Sequence, residues 1–193
     1  PIGDRHLFAD YPICLNIGGI ANVSYEMNDK RIAFDICMAN QLLNYLANKL
    51  GYDYDKNGQF AKRGNINKVL FEILNDNEYY KHDAPKSLGR EFFENVQHKV
   101  IDESSLPVYD LLATATEHIA YQIAKSVDVI DKSKMLVTGG GAKNDFLIER
   151  ICALSKHEII VPDVMITDYK EALIFAFLGV LKLVGKINVL SSV

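Results

Sequence analysis

The chain has 193 residues with a formal net charge of −4, and 49% of its residues are hydrophobic. This length suits one domain with a buried core, and the acidic balance excludes the broad basic surface that binds nucleic acid or acidic membranes. The three cysteines lack both the spacing of a metal site and the density of a disulfide framework, which predicts reduced thiols and a cytoplasmic location. The apolar run at residues 172–181 is too short to span a bilayer.

The N-terminal part of the chain predicts a loop over residues 1–10 and then three consecutive strands. Runs rich in Ile, Val, Tyr and Phe place these strands at residues 13–17, 21–27 and 31–37. Asn28 and Asp29 tolerate the left-handed backbone of a hairpin turn, so the strands are expected to be antiparallel. A helix over residues 40–50 follows, with Gly51 as its stop.

The middle of the chain is more polar and predicts a helical insertion at about residues 52–103. Short helices are expected over residues 69–74 and 91–96 within it. A long helix then runs to about Ser126, starting either at Ser104–Ser105 or at Leu106–Pro107, because proline is tolerated in a first helical turn.

The last third predicts two strand–helix units. Strands are expected over residues 135–137 and 158–161, and helices over residues 145–155 and 172–184. Asp168 and Glu171 have capping-box spacing before the last helix. The order β-β-β-α-β-α-β-α, with the insertion after the first helix, indicates a single α/β domain over residues 1–193 with a mixed sheet.

Two glycine turns are the strongest functional signal. Gly139–Gly141 follows a buried strand and precedes a helix, which is the geometry that presents backbone N–H groups to a phosphate or a ribose. Ligands gather at the carboxyl ends of parallel strands, and the Gly18–Gly19 turn is placed to face that rim. The alternative is two tight turns that bind nothing.

Five motifs occur in one order along the chain, and together they resemble the anhydro-N-acetylmuramic acid kinase family of the actin-like ATPase and sugar-kinase superfamily. The motifs cover residues 15–24, 54–58, 85–91, 139–144 and 170–172. The resemblance implies the C-terminal lobe of a two-lobe kinase, with a ribonuclease H-like, actin-like ATPase fold. A G-x-G-x-x-G fingerprint or a P-loop, which would indicate a different nucleotide-binding fold, is absent.

The resemblance also implies an activity and its cofactors. These kinases use ATP and Mg²⁺ to hydrolyse and phosphorylate 1,6-anhydro-N-acetylmuramic acid to N-acetylmuramic acid 6-phosphate in peptidoglycan recycling. The family's aspartate base and a Gly-Thr-Ser-type phosphate loop belong to an N-terminal lobe that has no counterpart here, so no catalytic residue is assigned and the fragment is expected to be inactive. The alternative is a non-catalytic module of the same fold that senses nucleotide or muropeptide.

The resemblance assigns the nucleotide to the two glycine turns. The expected ATP-binding residues are Gly18, Gly19, Gly139, Gly140, Gly141 and Asn144. The first pair would reach the β- and γ-phosphates, and the later set would border the ribose and α-phosphate. Asn144 is equally placed to cap the following helix, and both roles are compatible. Asn16 stands where many relatives have an aspartate, so no metal role is assigned to it.

Four further residues are candidates for the sugar or for a metal-bound water. Asp35 could hold magnesium through water or bind a sugar hydroxyl, and the alternative is a carboxylate that favours the next helix N-terminus. Asn40 ends a segment in which Asp-Ile-Cys-Met-Ala-Asn replaces the family's Asp-Thr-Gly-Pro-Gly-Asn. Lys86 and Arg90 could bind a phosphate or the lactyl carboxylate, and the alternative is a surface turn with an ion pair to Glu91.

The remaining predictions concern partners and core. The five histidines show no metal-ligand spacing, and His118 is expected to be packed within a helix. The apolar stripe over residues 172–184 is expected to be helix core, part of which could serve a homodimer. The expected partners are therefore nucleotide, anhydro sugar and the missing N-terminal lobe, with no nucleic acid and no membrane.

Overall fold

A computed structural model describes residues 1–190 of the protein. Five strands form one sheet in the order β3-β2-β1-β4-β5. The strands are β1 (Ile13–Ile17), β2 (Ile20–Met27), β3 (Lys30–Met38), β4 (Lys134–Thr138) and β5 (Glu158–Ile160). The first three are antiparallel, and β1–β4 and β4–β5 are parallel, so the predicted mixed sheet is confirmed.

The helices lie in two layers. They are α1 (Ile2–Leu7), α2 (Asn40–Asn48), α3 (Lys68–Asn75), α4 (Arg90–Phe92), α5 (His98–Asp102), α6 (Val108–Val127), α7 (Asp145–Leu154) and α8 (Val164–Leu183). A π-helical segment, Phe93–Gln97, joins α4 to α5, so that helix is longer than expected. Helices α2, α6 and α7 pack on one face of the sheet, and α1 and α8 pack on the other.

Strand alternation separates the two faces. Ile13, Leu15 and Ile17 of β1 are fully buried in the main core beneath α6. Cys14 points the other way and joins Phe8 and Leu136 in a smaller cluster under α1 and α8. Successive side chains of a strand point to opposite faces. The polar residues that alternate with the main-core residues therefore point to the α1/α8 face.

Three sequence predictions about helices are wrong. The apolar stripe over residues 172–184 is not helix core, because Phe175, Val180 and Leu183 are 66%, 55% and 88% exposed. The expected N-terminal loop is helix α1, which packs so closely on α8 that a Cβ on Gly3 would lie 2.6 Å from Ile174 Cγ1. The last helix begins at Val164 and not at Ala172, because Asp163 caps it by accepting the Ile166 N–H at 3.0 Å. Asp168 and Glu171 therefore lie inside α8 and form no capping box.

The segment between α2 and α6 packs mainly on α6 and α7, and its later part reaches the edge strand β3. Asp55 accepts the backbone N–H groups of Phe60 and Ala61, which holds two short 3₁₀ turns together. Further along, the Asp35 N–H of β3 donates to the Lys86 carbonyl at 3.2 Å. The 85–88 loop thereby covers the free edge of β3, which would otherwise expose unpaired backbone groups.

Candidate functional site

The two glycine turns are in contact with each other. Strands β1 and β4 are parallel neighbours, so Ile17 and Thr138 end at the same edge of the sheet. Gly139 has a φ of +85°, and a Cβ there would lie 2.7 Å from both Asn16 Oδ1 and the Ile17 carbonyl oxygen. Only glycine fits this conformation and this approach. The two turns thus form one continuous rim.

The backbone amides of this rim divide into two groups. The Gly18 N–H donates to the Ile20 carbonyl at 3.2 Å, and the Gly139 N–H donates to the Thr167 carbonyl at 3.3 Å. Within residues 1–190, the N–H groups of Gly19, Gly140 and Gly141 have no hydrogen-bond partner. The glycines of the two turns therefore do not act alike: two of them use their N–H groups to shape the turns, and three have an N–H group without a partner, although Gly141 itself is buried.

The beginning of α7 closes the second turn. Residues Gly140–Lys143 form a 3₁₀ turn, and the Asn144 N–H donates to the Gly141 carbonyl at 3.1 Å. Asn144 Oδ1 accepts the Leu147 N–H at 3.1 Å, so the helix-capping role of Asn144 is present in the structure. Lys143 Nζ pairs with Asp168 Oδ1 at 2.5 Å, which ties this turn to α8.

A row of polar side chains crosses the sheet beside the rim. Asp35, Asn22, Asn16 and Thr138 are register partners on β3, β2, β1 and β4, and all four lie on the α1/α8 face. A bulge at Ile36 shifts the β2–β3 register next to Asp35, and bulges of this kind re-aim side chains near functional sites. Sequence reasoning missed Asn22 and Thr138, although their alternation with apolar core residues was a usable signal.

Asp35, Asn22 and Asn16 of the polar row line a cavity of about 660 Å³, and Thr138 is buried beneath it. The 85–87 loop forms one wall, and α8 forms the other through residues that include Glu171, Ile174, Phe175 and Leu178. Polar groups beneath an apolar wall are typical of small-molecule sites. Gly139 lines the same cavity, so the cavity and the glycine rim are continuous.

A buried ion pair stands at the back of this cavity. Lys170 Nζ lies 2.7 Å from Asp4 Oδ1, and both side chains are at most 10% exposed. Ser24 Oγ donates to Asp4 Oδ2 at 2.6 Å, and Arg31 donates to Ser24 Oγ at 2.9 Å. Burial by itself raises the pKa of Asp4, but the charge and the hydrogen bond of Lys170 outweigh it and hold that pKa below its ordinary value.

Asp35 and Lys86 lie in the cavity lining, and both also support the 85–88 loop. Asp35 Oδ2 accepts the Leu88 N–H at 2.9 Å, and the Tyr79 hydroxyl donates to the Asp35 carbonyl. The interpretation of Asp35 as a helix N-terminal carboxylate is wrong, because it lies within β3. Lys86 Nζ donates to the Tyr79 carbonyl at 3.2 Å, and burial lowers the pKa of Lys86.

Arg90 and Asn40 lie in different surroundings from those two residues. Arg90 is paired with Glu94 at 2.8 Å, rather than with Glu91, and its side chain is 80% exposed outside the cavity lining. Asn40 begins α2 and lies against both glycine turns, with its Nδ2 donating to the Ile17 carbonyl at 3.2 Å. The structure therefore brings Asn40 to the glycine rim and leaves Arg90 away from it.

Two kinds of feature are absent from the described residues. No group of three or more His, Cys, Asp or Glu side chains in residues 1–190 is arranged to hold a metal ion. No helix in the same part of the chain is long and apolar enough to cross a membrane. His118, as expected, is fully buried in α6.

Comparison of the sequence with known proteins gives one consistent result. A sequence profile described as anhydro-N-acetylmuramic acid kinase matches residues 3–192. The kinase of that name from Photobacterium profundum is 34% identical over 182 residues, which cover 86% of this chain and 48% of that protein. The one from Actinobacillus pleuropneumoniae serotype 3 (strain JL03) is 32% identical over 192 residues, covering 94% of this chain and 52% of that protein. The chain thus spans about half the length of the curated relatives it matches.

Solved structures show the fold. An activator of 2-hydroxyisocaproyl-CoA dehydratase from Clostridium difficile, with bound ADPNP, superposes with a TM-score of 0.58 at 19% identity and covers 98% of this chain and 68% of that one. Component A of (R)-2-hydroxyglutaryl-CoA dehydratase from Acidaminococcus fermentans gives 0.54 at 16% identity, covering 89% and 62%. The predicted actin-like ATPase fold is confirmed.

Proposed function

Because the chain belongs to the anhydro-N-acetylmuramic acid kinase family, we propose that it is the nucleotide-binding half of an ATP-dependent sugar kinase. The complete enzyme would hydrolyse 1,6-anhydro-N-acetylmuramic acid and phosphorylate it to N-acetylmuramic acid 6-phosphate, in the cytoplasmic recycling of cell-wall sugar. One observation carries the nucleotide assignment: two abutting glycine turns hold three backbone N–H groups without a partner among residues 1–190.

The three unpartnered amides are the proposed phosphate ligands. Gly19 would contact the β- and γ-phosphates, and Gly140 and Gly141 would contact the α-phosphate and border the ribose. Backbone N–H groups beside a helix N-terminus bind anions well because donors and the helix dipole act together. Gly18 and Gly139 would shape the turns without donating, since their N–H groups are already used. Asn144 would act by capping α7 beneath the ribose.

The polar row is the proposed region for magnesium and the sugar. Asp35 has one carboxylate oxygen occupied by the Leu88 N–H, and its neighbour Asn22 offers an amide oxygen. Such hard oxygen donors suit Mg²⁺, which keeps several waters and binds nucleotide phosphates. Magnesium, when bound here, would neutralise phosphate charge. Lys86 is the proposed partner of a sugar carboxylate, and Arg90 is left out because it is paired with Glu94 outside the cavity.

Turnover is assigned to the whole kinase and not to this half. Phosphoryl transfer needs a base, a metal and phosphate donors held in line, and the base belongs to the N-terminal lobe that the family resemblance implies. We therefore expect no measurable phosphorylation of the anhydro sugar by the 193-residue chain alone. Adding the separately expressed N-terminal half of the Photobacterium profundum kinase tests for restored turnover. Nucleotide binding without turnover in that mixture would favour the non-catalytic sensing module.

Substitution of Gly140 tests the nucleotide assignment. A Cβ on Gly140 would lie 3.5 Å from Asn40 Nδ2, an ordinary contact, so Gly140→Val is expected to fold normally while its branched side chain enters the ligand's path. We expect ATP to shift the amide NMR signals of Gly19, Gly140 and Gly141 in the wild type. In Gly140→Val the affinity should fall by about tenfold or more, the equivalent of about 1.4 kcal/mol. Equal ATP affinity in the two proteins would contradict the proposal.

A further inference from the structure

The start of α2 determines which way the first glycine turn faces. The Asn40 N–H donates to the Gly18 carbonyl at 3.1 Å, and the Ala39 and Gln41 N–H groups donate to the Gly19 carbonyl at 2.8 and 3.2 Å. A trans peptide unit points its C=O and its N–H in opposite directions. Because the Gly18 carbonyl points at α2, the Gly19 N–H of the same peptide unit points away from α2.

The side chain of Asn40 touches both turns. Its Nδ2 donates to the Ile17 carbonyl at 3.2 Å, at the point where β1 enters the first turn. The same Nδ2 lies 3.5 Å from the position that a Cβ on Gly140 would occupy, and its Oδ1 lies 3.2 Å from the corresponding position on Gly141. Among residues 1–190, Asn40 is thus joined to the first turn by two hydrogen bonds while it packs against the second.

We infer that Asn40 is a positioning residue, which holds the two glycine turns at the separation and orientation needed to bind one phosphate chain. The inference rests on the proposed nucleotide-binding function and reassigns Asn40 from a ligand of the sugar or of a metal-bound water. Asn40 acts through Gly19, Gly140 and Gly141, whose amides make the contacts. A side chain without an amide leaves the turns free to separate, and donors that are not preorganised bind less tightly.

The experiment compares nucleotides that differ in phosphate number. The 193-residue wild type, Asn40→Ala and the uncharged, similarly shaped Asn40→Leu are titrated with adenosine, ADP and ATP, and binding is followed by the amide signals of the glycine turns in NMR spectra. The control is Asn48→Ala in the last turn of α2, where an exposed side chain donates to the Asn44 carbonyl at 2.6 Å and touches neither turn. Asn40→Leu is the second variant, in case Asn40→Ala does not fold, and it removes the amide without adding a charge near the phosphates.

A specific pattern is expected. Both Asn40 variants should bind ATP about tenfold more weakly than the wild type, the effect of one lost hydrogen bond at a preorganised site. Their adenosine affinity should be unchanged, and Asn48→Ala should bind all three nucleotides like the wild type. General damage to the fold would lower adenosine and ATP affinity equally.

The other possible results would contradict either the role of Asn40 or the proposed nucleotide binding. Unchanged ATP affinity in both Asn40 variants, or equal losses for adenosine and ATP, would remove the positioning role while leaving nucleotide binding in place. A wild type whose glycine amides do not respond to millimolar ATP would remove the proposed nucleotide function and the role of Asn40 with it.

Discussion

The two faces of the sheet are built on opposite principles. The face under α2, α6 and α7 is dry, with Leu15, Leu112 and Ile119 all fully buried. The face under α1 and α8 carries the polar row, the Asp4–Lys170 ion pair and the cavity. Close-packed apolar side chains supply stability, whereas buried polar groups cost stability unless they are hydrogen-bonded or paired with an opposite charge. The difference places most of the packing stability on one face and leaves the other face for the proposed ligand.

Breaking the ion pair of the polar face should have the largest effect on stability. Asp4→Ala leaves the Lys170 ammonium buried without its carboxylate. A buried charge that loses its partner costs about 3–5 kcal/mol, whereas replacing both partners by apolar residues is often neutral. Chemical denaturation of Asp4→Ala and of the double variant Asp4→Leu/Lys170→Met should show that contrast.

The matched control for this prediction is an exposed pair. Glu94→Ala removes the partner of Arg90, and surface pairs contribute about 0–1 kcal/mol. A loss in Asp4→Ala no greater than that in Glu94→Ala would mean that water reaches Lys170, and the two faces would then differ less than their contacts indicate.

Truncation of one leucine on each face tests the packing contrast. Leu15→Ala opens a cavity in the dry core, where we expect a loss of about 2–5 kcal/mol in the free energy of unfolding. Leu178→Ala removes the same atoms from a half-buried side chain on α8 that already lines a cavity, so about 1 kcal/mol or less is expected. Thermal or urea denaturation measures both, and similar losses would show that the α8 face is packed as tightly as the core.

His118 shows which polar groups are tolerated in the interior between α6 and the segment that joins α2 to α6. Its ring contacts uncharged groups, with Nδ1 2.9 Å from Asn75 Oδ1 and Nε2 3.3 Å from the Tyr80 hydroxyl. Burial lowers the pKa of His118 to about 3, whereas the pKa of a histidine in an unfolded chain is about 6.5. The unfolded chain therefore takes up this proton first, and the contribution of neutral His118 is complete above pH 6.5 and lost as the pH falls towards 3.

The expected pH effect is about 1.5–2 kcal/mol between pH 6.5 and 5, from a slope near 1.4 kcal/mol per pH unit. His118→Gln keeps a polar side chain and removes the titration, so subtracting its unfolding free energy from that of the wild type isolates the histidine. A difference that stays constant over this range would show that His118 is charged or hydrated in the native state.

Much of the fold follows from local sequence patterns. Runs rich in Ile, Val, Tyr and Phe predicted β1 and β2, and the rule that ligands gather at the carboxyl ends of parallel strands predicted that the two glycine turns face each other, as the parallel β1–β4 pair places them. The start of α8 was missed because Asp163 and Asp168 both precede apolar residues, and only the capping bond to Ile166 decides between them. Helix α1 was missed because its packing partner, Ile174, lies far away in the sequence.

The candidate site was less predictable than the fold. Gly19 and Gly139 look equivalent in the sequence, but the Gly139 N–H is used by Thr167, a contact that depends on where α8 packs. The polar row depends on register across three pairs of strands and on a bulge at Ile36. A single sequence gives residue types and their periodicity. It does not show which backbone N–H groups stay without a hydrogen-bond partner once distant helices and strands have packed.

The smallest change in stability is expected for Asn22→Ala, which can be compared with a substitution of the adjacent β2 residue, Val23, on the opposite face of the sheet. The side chain of Asn22 is half-buried in the polar row and has no hydrogen-bond partner among residues 1–190, so Asn22→Ala should change the unfolding free energy by less than about 0.5 kcal/mol. Val23 is 2% exposed in the dry core, and Val23→Ala should cost about 2 kcal/mol. Urea denaturation of the two variants compares the faces one residue apart. A side chain that serves only to bind a ligand contributes little to stability before that ligand binds. A loss above about 1.5 kcal/mol in Asn22→Ala would therefore show that the polar row stabilises the fold.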